Sequence, residues 1–119
     1  MNNEYELVIC IVNQGFSEEV MQAAKECGAR GGTVINARGT AKAEAEAAFN
    51  ISINPEKEIV LILSKVEIKD AILHAIYTKV GLNSPGQGIA FSTPVDEVVG
   101  LGDGKLLKEL QAKEKEENK

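Results

Sequence analysis

The sequence predicts an α+β domain with a four-stranded antiparallel sheet, and three observations carry that prediction. An apolar run, a segment of helical period and a second apolar run follow one another twice along the chain, giving the order βαββαβ. Both helical segments are closed by a glycine, Gly28 and Gly81. The length, 119 residues, suits one hydrophobic core. Together these describe a ferredoxin-like layout. The domain is expected over residues 1–103, with a charged tail over 104–119.

Taken in order, Leu7 to Val12 (LVICIV) reads as a buried strand. Ser17 reads as the N-cap of the helix that follows, with Glu18 and Glu19 at its positive dipole end and Phe16 set to staple onto Met21. Val20, Ala23, Ala24 and Cys27 mark its apolar face, and Gly32 to Asn36 is the second strand. In the second half Ile59 to Leu63 is a strand, and Ile68, Ala71, Ile72, Ala75 and Ile76 mark a helix face. Gly88 to Phe91 is the closing strand.

Two helices cover only one face of a four-stranded sheet, so its strands should alternate apolar and polar residues. LVICIV and IVLIL do not alternate. A chain this short has little with which to cover the second face except copies of itself, so a homo-oligomer is expected. The tail offers Leu106, Leu107 and Leu110 as the other cover, and is otherwise solvated charge.

Between the halves, residues 40–54 form a connection long enough to be functional in so compact a domain. Its Ala and Glu content suits a short helix formed on docking, with Phe49 and Ile51 as anchors either to the domain or to a partner.

Composition excludes several classes of function. The net charge is -5, and the 13 basic residues are scattered, which argues against nucleic-acid and anionic-membrane partners. No apolar run approaches the roughly 20 residues that span a bilayer. The first residues lack the basic-then-apolar order of a signal peptide, so a cytoplasmic location is expected. Cys10 and Cys27 read as small hydrophobes. His74, the sole histidine, has no Cys or His at ligand spacing, so no metal site is expected. The segment Gly100 to Lys105 (GLGDGK) lacks the spacing and the Ser or Thr of a phosphate loop. Asp96 and Glu97 follow Pro94 and read as turn caps.

The most specific stretch is Gly81 to Leu101, GLNSPGQGIAFSTPVDEVVGL, paired with Gly31 to Gly39, GGTVINARG. This pair resembles the PII family of trimeric nucleotide-sensing regulators, and within it the divergent PII-like proteins, some of them associated with membrane transport proteins. The resemblance covers about Tyr5 to Leu101. It implies a regulatory homotrimer without catalytic residues, adenine nucleotides (AMP, ADP or ATP) bound between subunits, and no obligatory cofactor. Thr33 would face the adenine or ribose, and Gly39 would permit close backbone approach. Gly86, Gln87 and Gly88 would form the phosphate-facing turn, with Arg38 and Lys42 as candidate cations. The long loop, through Thr40, Ala43, Glu44, Phe49, Asn50 and Ile51, would reach a target such as a transporter or metabolic enzyme.

The chain also departs from the nitrogen-sensing members. Ile89 stands where they carry a lysine, Gly100 and Gly102 where they carry arginines, and Ala43 and Ala45 in a region where they contact 2-oxoglutarate and metal. Two readings from other classes remain. One is an ACT-like amino-acid-binding module using the Asn13-Gln14-Gly15 loop, and the other is a small trimeric enzyme with an intersubunit site.

Overall fold

The computed structural model describes residues 4–40, 42–50, 54–84, 87–101 and 112–113. Its elements are β1 (Tyr5–Asn13), α1 (Ser17–Glu26), β2 (Thr33–Arg38), α2 (Lys42–Phe49), β3 (Glu56–Lys65), α3 (Val66–Val80) and β4 (Gly88–Val95). All pairings are antiparallel, in the order β2-β3-β1-β4. The predicted α+β ferredoxin-like layout is therefore the observed one, with α2 added in the long connection. The tail over 104–119 lies outside the described residues apart from 112–113.

Every strand is longer than its apolar run, because the ladder continues through polar or charged residues at the ends. β3 begins at Glu56, three residues ahead of the first isoleucine. β1 carries Val8, Cys10 and Val12 on the face covered by helices, and β3 carries Val60, Ile62 and Ser64 there; all are buried. From α1, Val20, Ala23 and Ala24 complete this core, and from α3, Ile72, Ile76 and Val80.

Two predicted details are corrected. The N-cap position of α1 is Phe16, not Ser17, and it has no side-chain cap. Ser17 is already helical, and its hydroxyl donates instead to the Glu58 carboxylate at 3.3 Å, a stronger acceptor brought in from β3. Residues 42–49 are helical in the isolated chain, where a helix was expected only on docking. Asn50, with φ 54°, ends α2 in the left-handed conformation that asparagine tolerates. The glycine stops are as predicted. Gly28 N–H donates to Lys25 O and Ala29 N–H to Ala24 O, the paired bonds of a Schellman motif, and Gly81 caps α3 with φ 81°.

Among the described residues no helix packs on the opposite sheet face. Across it, Ile35, Ile59, Ile11 and Ile89 form one cross-strand row, and Thr33, Leu61, Ile9 and Phe91 the next. Leu7 pairs Leu63 beyond them. Ile35 remains 44% exposed, Ile89 57% and Phe91 43%. The non-alternating strands thus have one face in the core and a second apolar face that the described helices do not cover.

Candidate functional site at the loop-bearing end of the sheet

Gly39, which closes the first glycine-marked segment, and Gly88, which opens β4 in the second, lie at the end of the sheet from which the long connection leaves. At the foot of that connection Gly39 N–H donates to Pro55 O at 2.7 Å, and Glu56 N–H donates to Asn54 Oδ1 at 3.0 Å. Arg38 stands opposite Glu56 in the β2–β3 register and is exposed. Among the described residues it makes no ion pair.

Three successive residues of β3 then bind the β1–α1 turn. Gln14 N–H donates to Glu56 O at 3.0 Å, Lys57 Nζ to Asn13 Oδ1 at 2.6 Å, and Gly15 N–H to Glu58 Oε1 at 2.7 Å. Strand alternation puts Glu56 and Glu58 on the helix side and Lys57 on the open side, in line with Ile59 and Leu61. The stem of Lys57 runs past Gly39, where a Cβ would lie 3.1 Å from its Cε. Burial pushes the Lys57 ammonium below the ordinary lysine value. The sequence reading missed Asn13, Lys57 and Glu58 as a group. Its available signal was the Glu-Lys-Glu alternation just before an apolar strand.

On the other edge, Gln87 N–H donates to Ser84 O at 3.3 Å, closing the turn that leads to β4. Gly88 opposes Val12, with φ 145°, and a Cβ there would sit 2.4 Å from Ile11 O, so only glycine lets the strand enter the ladder. One step past the Val12 and Gly88 pair, the end of the sheet reads Ala37, Lys57, Asn13, and Gln87 precedes β4 at the same end. Arg38 and Gly39 are therefore separated from Gln87 and Gly88 by three interstrand spacings, roughly 14 Å.

The other expected residues fall as follows. Thr33 opens β2, about 17 Å along the strand from Arg38 by the usual rise. Thr40 is exposed; Lys42, Ala43 and Glu44 belong to α2; Phe49, 56% exposed, ends that helix. Gly86 and Ile51 lie outside the described residues. A shallow cleft of about 440 Å³ runs from Gly88 along α3, lined by Leu73, His74 and Tyr77. Cys10 is buried and its thiol is pushed up to about 12, so it does not supply a thiolate. Among the described residues no group of three His, Cys, Asp or Glu side chains gathers to hold a metal. No helix among them is long and apolar enough to cross a membrane.

The chain is thus a ferredoxin-like domain with an apolar second sheet face, and its long inter-half connection and Gly88 lie at the same end of the sheet. The model of the nitrogen regulatory protein P-II family matches residues 5–105, and the chain belongs to that family. Among solved structures it is similar to Arabidopsis thaliana PII bound to citrate, with 23% identity, a TM-score of 0.65 and coverage of 87% of this chain and 86% of that one. It is also similar to a putative PII-like signaling protein from Thermus thermophilus, with 19% identity, a TM-score of 0.58 and coverage of 80% and 90%. No curated protein matches the sequence.

Proposed function

We propose that this PII-family chain is a non-enzymatic, cytoplasmic homotrimer that senses an adenine nucleotide and signals to a target protein through residues 40–54. One observation carries the nucleotide reading: the two glycine-marked half-sites lie at the same end of the sheet but on its opposite edges. A ring of copies puts the β2 edge of each subunit beside the β4 edge of the next, a heterologous contact that closes by rotation. Arg38 and Gly39 of one copy then meet Gln87 and Gly88 of its neighbour, and a cation faces a turn suited to phosphate. The open apolar face supports the same assembly, since turning three such faces inward covers all of them at once.

The rival amino-acid-binding reading needs free donors in the Asn13-Gln14-Gly15 loop. Gln14 N–H is taken by Glu56 O and Gly15 N–H by Glu58. For signalling, α2 presents Phe49 half-exposed at its C-terminal end, as an anchor for a target such as a transporter or metabolic enzyme. Thermal-shift measurements with AMP, ADP, ATP, 2-oxoglutarate, citrate and free amino acids test the reading, because a ligand of the native state raises the melting temperature. A rise with the adenine nucleotides is expected. A rise with amino acids alone would replace this reading with the rival one.

A further inference from the structure

Lys57 is placed unusually for a lysine. It follows the alternation of β3 onto the open face, in line with Ile59, Leu61 and Leu63, while the carboxylates of its neighbours Glu56 and Glu58 point to the other side of the sheet. Among the described residues it has no ion-pair partner, and its ammonium is held by the amide oxygen of Asn13 at 2.6 Å. Both residues belong to the two central strands, β3 and β1. When flat-walled subunits enclose an axis, the middle of each wall is its nearest part to that axis. The edges, where Arg38 and Gln87 stand, are the farthest.

We infer that in the assembled trimer Lys57 of each copy, steadied by Asn13, converges on the three-fold axis at the loop-bearing end, and that this ring of lysines binds a small inorganic oxyanion of the phosphate type. The inference rests on the trimeric arrangement proposed above, but on neither the nucleotide nor its cleft. Its physical basis is charge. Three ammonium groups turned into a shared interior repel one another and lose water, and amide oxygens alone do not neutralise them. A multivalent oxyanion supplies the missing charge and accepts hydrogen bonds from all three. The desolvation already lowering the Lys57 pKa in one chain would deepen on assembly, and a bound anion would reverse it. Gly39 contributes by leaving room for the lysine stem at the foot of the loop, so an occupied ring would bear on the position of the 40–54 connection.

The test uses the full chain as wild type, Lys57→Met and Lys57→Arg. Sedimentation equilibrium fixes the mass, and calorimetry with sodium pyrophosphate and, separately, ADP fixes the sites. The expected result is a trimeric wild type that binds about one pyrophosphate per three chains. Lys57→Met should stay trimeric, lose at least tenfold in pyrophosphate affinity and keep ADP binding, whereas Lys57→Arg should keep both. At low ionic strength Lys57→Met should melt above the wild type, because its repulsion is gone, and pyrophosphate should close that gap. Pyrophosphate binding that is absent in wild type, or unchanged in Lys57→Met, would overturn the ring. So would loss of ADP binding with pyrophosphate unaffected, which would assign Lys57 to the nucleotide site. A monomeric wild type would overturn the trimer and the ring together.

Discussion

Replacing Leu61 with aspartate should dissociate the protein without unfolding its subunit. Leu61 lies near the middle of the open face, between Thr33 and Ile9 across the strands and between Ile59 and Leu63 along its own. Its side chain points away from the core formed by its neighbours Val60 and Ile62, so the subunit's own packing is untouched. In an assembly that buries this face, the substitution forfeits about 1.5 to 3 kcal/mol of apolar burial. It also adds several kcal/mol for a carboxylate left without a partner. A loss near 5 kcal/mol corresponds to roughly three to four powers of ten for each subunit, compounded over the three subunits of a trimer. Sedimentation equilibrium at micromolar concentration should therefore give three times the 12.8 kDa chain mass for wild type and the single-chain mass for Leu61→Asp. Far-ultraviolet circular dichroism should remain that of a folded chain. A variant that keeps the wild-type mass would show that the open face is not the interface, and the burial argument would fail.

Three further outcomes follow from the same contacts. Glu58→Ala removes the acceptor for Gly15 N–H and the Ser17 hydroxyl, and should cost about 2 kcal/mol in urea unfolding at fixed protein concentration, with Glu58→Gln recovering part of it. Gly88→Ala must move a Cβ away from Ile11 O, 2.4 Å distant, and from a strained φ, so it should cost roughly 2 to 3 kcal/mol and speed amide exchange in β4 before β3. Cys10 has its thiol pushed from 9.0 up to about 12 by burial, so the folded state holds its proton after the unfolded chain has lost it. That contribution to stability is complete below pH 9 and is lost as pH rises towards 12, at about 1.4 kcal/mol per unit of pKa difference. Correspondingly, Cys10 should resist a thiol reagent at pH 8 until the protein is denatured.

The fold was legible where the chemistry was local. Val20, Ala23 and Ala24 have helical spacing, Gly28 and Gly81 stop their helices, and the non-alternation of LVICIV and IVLIL announced a sheet apolar on both faces. What escaped depends on pairing between distant segments. Glu56, Lys57 and Glu58 look like a solvated turn in sequence, and only the β1–β3 register makes them a strand foot that holds Asn13, Gln14 and Gly15. The displacement of Ser17 from its capping role has the same origin, since its partner is 41 residues away. The glycines at 39 and 88 stand out in the sequence, and backbone packing against Ile11 O requires glycine at 88, whereas at 39 the neighbour is the flexible end of Lys57. The separation of their two clusters across the sheet is not legible there, because strand order is absent from a linear pattern.

Calorimetric titration of ATP, ADP and AMP under one salt condition tests the nucleotide-sensing claim most directly. Gly88 lets β4 approach Ile11 O closely and Arg38 offers one cation without an ion-pair partner among the described residues, while Ile89 and Gly100 supply no charge. Each added phosphate must then lose water for an incomplete set of partners, a cost that cancels much of its gain. The three nucleotides should bind within about tenfold of one another, at micromolar affinity or weaker on the usual scale. Absence of binding by all three would contradict the claim, and tight ATP binding with AMP undetectable would contradict the charge argument beneath it.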